Sequence, residues 1–126
     1  MNGLFRLACI NLFLAVGLGA IGGHAVRDSV SAAALETYKT GSLYHLVNGV
    51  GALALLAIPM RTGVSVSRIK WAVILLLVGC WIFGGSLYLL ATTGVRVLGA
   101  ITPIGGVCFL IGWILAAFAL PQFSLR

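Results

Sequence analysis

Four long apolar stretches occupy most of this 126-residue chain, at residues 4–23, 43–60, 71–91 and 103–120. An α-helix rises about 1.5 Å per residue, so roughly 20 apolar residues cross the hydrocarbon core of a bilayer. Each stretch is close to that length. The pattern therefore predicts an all-α membrane protein with four transmembrane helices.

The chain has too few charged side chains to cover the surface of a soluble domain. Charged residues make up 8% of the sequence, whereas soluble domains carry about 25%. Four spans also leave few residues for anything else. We therefore expect a single integral membrane domain covering residues 1–126.

The basic residues carry the net charge of +6, and they are scattered near the ends of the apolar stretches. Basic residues in such positions anchor helices at anionic lipid headgroups. The sequence contains no basic run of the kind that binds nucleic acid. The predicted partner is the lipid bilayer, and nucleic-acid binding is excluded.

The distribution of these charges also predicts an orientation. Four spans place both termini on one side of the membrane. That side collects five basic residues and the opposite side three, and cytoplasmic loops carry the excess of Lys and Arg. Both termini are predicted to be cytoplasmic. The five are Arg6, Arg61, Arg68, Lys70 and Arg126, and the three are Arg27, Lys39 and Arg96.

Two links carry helix signals of their own. Residues 31–40 are expected to form a short interfacial helix between the first two spans, with Ser31 as N-cap and Gly41 interrupting the backbone. Thr102 and Pro103 are typical of a helix start, with the threonine as cap and the proline at the first helical position.

Small residues recur on one face of each span. In lipid, helices associate through such faces because small side chains let the backbones approach closely. The spacing predicts a compact up-down four-helix bundle. Asn11 lies on the first of these faces and is expected to bond a neighbouring helix. The predicted packing glycines are Gly19, Gly22, Gly49, Gly79, Gly105 and Gly112.

Polar side chains from all four spans are predicted to converge in the half of the membrane opposite the termini. Polar groups at this depth are costly, so they face the bundle interior and pair with one another. This candidate polar cluster is the only functional site that the sequence offers. Its members are His24, Tyr44, His45, Asn48, Ser86, Tyr88 and Thr102.

Two chemical roles are open for the histidines. His24 and His45 could together ligate haem or a metal, but no residues supply the rest of a metal shell, and hydrogen-bonded structural roles are favoured. His45 could instead relay protons with Asp28 or Glu36, and the simpler alternative is a helix-end hydrogen bond. The chain carries no catalytic constellation, and its three cysteines form no C-x-x-C pair. We predict no metal, cofactor or catalytic residue.

Four blocks of the sequence resemble the YgdD-like family of small bacterial inner-membrane proteins, which also has mitochondrial relatives. Relatives often carry a second histidine at the position of Asn48, so any mechanism that needs that pair is weakened here. The resemblance implies four transmembrane helices in a plasma membrane and no established activity. The blocks are Gly19-Ala-Ile-Gly-Gly-His-Ala-Val26, Tyr44-His45, Phe83-Gly-Gly-Ser-Leu-Tyr88 and Leu98-Gly-Ala-Ile-Thr-Pro-Ile-Gly-Gly106.

Three functional hypotheses follow, ranked by how well the sequence supports them. The first is a non-enzymatic protein that acts by helix association, as a homo-oligomer or as an accessory subunit of a membrane complex. The second is transport or permeation of a small solute or of protons. The third is a haem- or lipid-linked membrane enzyme that uses His24 and His45.

Overall fold

The computed structural model describes residues 1–60 and 62–121, and its regular structure there is entirely helical, without strands. The helices form four continuous rods. The first rod is α1 (Asn2–Ile21) with the π-helical turn Gly22–Val26, and the second is α2 (Ala32–Leu56). The third joins α3 (Val66–Gly79), the π-helical turn Cys80–Gly84 and α4 (Gly85–Thr93), and the fourth is α5 (Leu98–Ala117).

Three of the rods are long and apolar enough to cross a membrane, namely Asn2–Val26, Val66–Thr93 and Leu98–Ala117. The α2 helix has 25 residues, which at the helical rise makes it about 37 Å long. It is less apolar because it carries Glu36, Lys39, His45 and Asn48. The rods confirm the all-helical membrane class.

The start of α2 corrects one prediction. Ser31 is the expected N-cap, and its Oγ accepts a hydrogen bond of 3.1 Å from the backbone N–H of Ala34. The predicted break at Gly41 is absent, because α2 continues to Leu56. A methyl group at Gly41 would lie 3.0 Å from Cβ of Leu87, so this glycine permits close packing. The predicted separate interfacial helix is wrong: residues 32–40 are the first turns of α2.

The start of the fourth rod corrects a second prediction, the helix start at Thr102 and Pro103. The α5 helix begins at Leu98, and Pro103 lies inside it. Proline lacks one N–H and is tolerated close to a helix N-terminus, where the first N–H groups have no intrahelical partner. Thr102 does not cap the helix. Its Oγ1 lies 3.2 Å from the carbonyl oxygen of Leu98, one turn earlier.

The buried apolar residues form two clusters, one toward each end of the rods. The larger lies between α2, α3 and α5, and the smaller lies where the first rod meets α2 and α4. His45 lies between them, because it precedes Ala52 and follows Tyr38 on α2. The larger cluster comprises Ala52, Leu55, Ile69, Ala72, Val73, Leu76, Cys80, Phe109, Ala116 and Ala119. The smaller comprises Val26, Tyr38, Tyr88 and Ala91.

The second and third rods form the centre of the molecule. The α1 helix packs mainly against α2, and α5 packs mainly against α3 and the π-helical turn that follows it. The link between α2 and α3 is tied to the end of α5, since the Ser65 N–H donates to the Ala119 carbonyl (2.8 Å) and Nη1 of Arg68 donates to the Phe118 carbonyl (2.7 Å). This arrangement leaves one side of α1 without a helical neighbour.

Candidate functional site

A completely buried histidine lies at the centre of the polar residues. His45 has no exposed surface. Its Nε2 lies 3.0 Å from Oδ1 of Asn11, and its Nδ1 lies 2.9 Å from the hydroxyl of Tyr88. Because the amide oxygen only accepts, Nε2 donates to it, and in the neutral form of the ring Nδ1 accepts from the Tyr88 hydroxyl. The His45 imidazole therefore joins α1, α2 and α4.

The backbone brings the third rod close to His45. Sγ of Cys80 donates to the His45 carbonyl (3.5 Å), and a methyl group at Gly84 would lie 3.4 Å from Cβ of His45. The edge of the Trp81 indole packs on the imidazole, with ring centroids 5.1 Å apart. These three contacts all come from the π-helical turn Cys80–Gly84. Such turns occur frequently at functional sites.

Asn11 is the member of this network that is only partly satisfied. Its side chain is 3% exposed, and Nδ2 is buried without a hydrogen-bond partner among the described residues. Asn11 also neighbours the Cys80 side chain. A methyl group at Gly49 would lie 2.8 Å from Nδ2, so the glycine leaves the space that the amide occupies. The prediction that Asn11 bonds a neighbouring helix is confirmed.

Asn48 forms a second polar contact, one turn from His45. Its Nδ2 donates to the Tyr44 carbonyl (3.0 Å), and its Oδ1 accepts from Nε1 of Trp113 (2.9 Å). The hydrogen bond between Asn48 and Trp113 connects α2 to α5. It was not predicted from the sequence, although a buried indole N–H usually finds an acceptor.

Ser86 and Thr102 form the third contact, between α4 and α5. Their hydroxyl oxygens are 2.6 Å apart. Each is also close to a carbonyl of its own rod, Ser86 to Phe83 at 3.0 Å and Thr102 to Leu98 at 3.2 Å. The two hydroxyl groups have two protons for these three contacts. One hydroxyl therefore donates to the other, and the other donates to the carbonyl of its own rod.

Two predicted members of the cluster lie elsewhere. His24 is exposed and makes no hydrogen bond in the described part of the chain. It follows Gly17 by seven residues and so shares the outward face of the first rod. Tyr44 is 43% exposed, and its ring packs on Phe83 with centroids 4.6 Å apart.

The predicted chemistry of the histidines changes accordingly. His24 and His45 are not brought together, and residues 1–60 and 62–121 contain no group of three metal-ligating side chains. The acidic relay partners are also elsewhere. Glu36 pairs with Lys39 at 3.2 Å on the surface, and both ring nitrogens of His45 are occupied by Asn11 and Tyr88.

The six predicted packing glycines all lie against another helix. A methyl group at Gly19 would lie 3.1 Å from Oγ of Ser42, and one at Gly112 would lie 3.2 Å from the Ala72 carbonyl. A methyl group at any of the other four glycines would come closer still to its neighbour. Gly22 lies against the Tyr38 ring, Gly49 against Asn11, Gly79 against the Phe109 ring and Gly105 against the backbone of Phe83.

Tyr38 is a polar residue that the sequence analysis did not single out. Its ring fills the space beside Gly22, and its hydroxyl donates to the Leu18 carbonyl (2.6 Å). The ring also packs on Tyr88, with centroids 4.7 Å apart. The signal was present in the spacing, because Tyr38 precedes His45 by seven residues and so shares its helix face.

Comparison with known proteins gives a family but no activity. Residues 18–106 match DUF423, described as a protein of unknown function. The chain is 42% identical over 118 residues to a UPF0382 membrane protein of Staphylococcus epidermidis, covering 94% of each chain. It is 40% identical over 119 residues to the UPF0382 membrane protein YwdK of Bacillus subtilis, covering 93% of this chain and 94% of that one. No solved structure matches.

Proposed function

The chain belongs to the DUF423 family of membrane proteins of unknown function, and we propose that it acts by helix association in a bacterial plasma membrane. It would form a homo-oligomer or serve as an accessory subunit of a membrane complex. The YgdD-like resemblance is consistent with this, since it implies the same membrane and no established activity.

The proposal includes four alternating crossings with both termini in the cytoplasm. The α2 helix has 25 residues, enough to span, and the polar side chains deep within it, His45 and Asn48, are hydrogen-bonded. The hydrogen bonds of Ser65 and Arg68 hold the α2–α3 link beside the end of α5. Arg61 and Arg126, which contribute to the charge argument, lie outside the described residues.

One observation carries the association proposal: α1 is the least covered of the apolar rods. In the most apolar 18-residue stretch of the first rod 17% of the residues are buried, whereas the buried share is 39% in the third rod and 28% in the fourth. On the side of α1 away from α2, Phe13 is 77% exposed, and nothing lies within 4 Å of a methyl group placed at Gly17. Ala20 shares that exposed side. Such a face lets another helix approach closely.

Mass measurement in mild detergent tests the association. We expect an oligomer or a co-purifying partner, which Gly17→Leu combined with Ala20→Leu releases. Leu110→Trp is the matched control, because Leu110 is an outward residue of α5 that is 67% exposed, and it should leave the mass unchanged. A wild-type protein that is strictly monomeric and carries no partner would refute the proposal.

Proton transport is a second candidate, and the chain of contacts from Asn11 through His45 to Tyr88 is the observation that favours it. Hydrogen-bonded chains through imidazole can pass protons. Proton flux into liposomes would be measured for the wild type, His45→Phe and Tyr44→Phe. Flux that falls only with His45→Phe supports this candidate, and equal flux in all three removes it.

A further inference from the structure

An apolar groove runs along the membrane-facing side of the molecule between α1 and the third rod. Its first part has a volume of about 340 Å³ and is walled by Leu7, Ile10 and Leu14 on one side and by Leu77, Val78 and Trp81 on the other. A second part of about 490 Å³ is walled by the same Trp81 together with Leu18 and Leu89. Both volumes fall in the range of ligand sites.

Two cationic side chains stand at the end of this groove nearest the N-terminus. Lys70 precedes Leu77 by seven residues on α3 and so shares the face of a groove wall, and Arg6 precedes Ile10 by four residues on α1 and lies beside the other wall, toward Phe13. Both side chains are exposed. Neither makes a hydrogen bond or ion pair with any residue in the described ranges, whereas Arg68 nearby is bound to the Phe118 carbonyl.

The acidic side chains of the chain lie away from this pair. The sequence has two of them, Asp28 and Glu36. Asp28 follows the far end of the first rod, and Glu36 lies in the first turns of α2, where it pairs with Lys39. An apolar groove with two cations near one end, neither of them paired within the described residues, matches a molecule with a hydrocarbon chain and an anionic head.

We propose that the groove binds an acyl chain of an anionic phospholipid, whose headgroup phosphate lies between Arg6 and Lys70. Anionic lipids attract basic side chains at the membrane surface. The groove between Leu14 and Trp81 adds protein contacts along the acyl chain, which a lipid in the bulk bilayer does not have. The groove residues Leu7 and Leu14 lie on a different side of α1 from Phe13 and Ala20 of the association face, and the two surfaces meet at Ile10 and Gly17, which are seven residues apart.

Native mass spectrometry tests the site, with the full-length protein in mild detergent and equal amounts of dioleoylphosphatidylglycerol and dioleoylphosphatidylcholine. The wild type should retain the anionic lipid preferentially. Arg6→Gln combined with Lys70→Gln should reduce the preference about fivefold for each charge removed. The control Arg27→Gln combined with Arg96→Gln removes two charges at the opposite end and should not change it.

A second pair of variants separates the groove from general surface attraction. Leu7→Trp combined with Leu14→Trp narrows the groove on the side of α1 away from Phe13 and Ala20, and it should reduce the retention of both lipids. Leu110→Trp, on the exposed side of α5, should not. Circular dichroism and thermal melting verify that each variant is folded.

Three results would overturn the proposal. The first is a preference that survives loss of Arg6 and Lys70. The second is retention that is insensitive to the tryptophans at positions 7 and 14, which would assign the lipid to the general annulus. The third is a dimer that these tryptophans dissociate without changing lipid retention, which would assign the groove to a second copy. Failure of the Gly17 and Ala20 test alone would refute the association and leave this lipid site standing.

Discussion

At the scale of single residues, the polar side chains are arranged so that each helix of the bundle gives or receives a hydrogen bond from another. His45 bonds Asn11 and Tyr88, and Asn48 bonds Trp113. In a bilayer, water does not compete for these groups, yet measured interhelical hydrogen bonds average about 0.6 kcal/mol and reach about 1.7 kcal/mol. The network therefore specifies which faces meet, and apolar packing supplies most of the stability.

The bond between Tyr88 and His45 is directly measurable. We predict that Tyr88→Phe, His45→Ala and the double variant give a coupling free energy of about 0.6–1.7 kcal/mol in reversible unfolding. The coupling arises because each single change leaves the other partner buried without its hydrogen bond.

Tyr44→Phe is the matched control, because the Tyr44 ring is partly exposed and its hydroxyl makes no hydrogen bond in the described structure. It should change stability by less than about 0.5 kcal/mol. A Tyr88→Phe variant as stable as Tyr44→Phe, with no coupling to His45, would show that the 2.9 Å contact contributes nothing.

At the scale of helices, adjacent glycines of one helix have different roles. Gly105 of α5 lies against the backbone N and Cα of Phe83, whereas a methyl group at Gly106 would have its nearest neighbour 3.9 Å away. A backbone cannot rotate aside as a side chain can. Gly105 therefore fixes the distance between α5 and the π-helical turn of the third rod, and Gly106 does not.

We predict opposite effects for alanine at these two positions. Gly105→Ala should destabilise the protein by about 1–3 kcal/mol, the usual cost of overpacking. Gly106→Ala should be neutral or stabilising by up to about 1 kcal/mol, since alanine is the better helix former. Thermal and denaturant unfolding of the two variants provides the comparison, and equal stability would contradict the close contact.

The helices also indicate how far the sequence could predict the structure. The spacing of small residues identified Gly105 and Gly112 as packing positions, because a periodicity of three and four residues is a property of the helix itself. The spacing could not show whether Gly41 permits close packing or interrupts the helix, because both roles depend on the absence of a side chain. The residue that decides between the two roles is Leu87, which is 46 positions further along the chain.

The polar cluster was predicted in the same partial way. The predicted depth of the residues along the spans grouped His45 with Tyr88 and Ser86 with Thr102, and the members of each pair are in contact. Depth does not determine the helix face, however, and His24 lies on the outward face with Gly17. Asn11 was not included in the predicted cluster, but its side chain reaches Nε2 of His45.

At the scale of the whole molecule, the account depends on the crossing of α2. It is the least apolar of the four rods, and it carries His45 and Asn48. If α2 crosses, both residues lie within the bilayer, where they must be hydrogen-bonded to protein. The alternation of the rods, the shared side of the termini and the cationic end of the groove all follow from that crossing.

Labelling of the two ends of α2 tests the crossing most directly. Lys39→Cys and Met60→Cys would each be placed in a chain whose native cysteines, Cys9, Cys80 and Cys108, are replaced. Right-side-out membrane vesicles would then be treated with a membrane-impermeant maleimide, before and after permeabilisation. We expect position 39 to react in sealed vesicles and position 60 to react only after they are opened. Reaction of both positions from the same side would contradict the account.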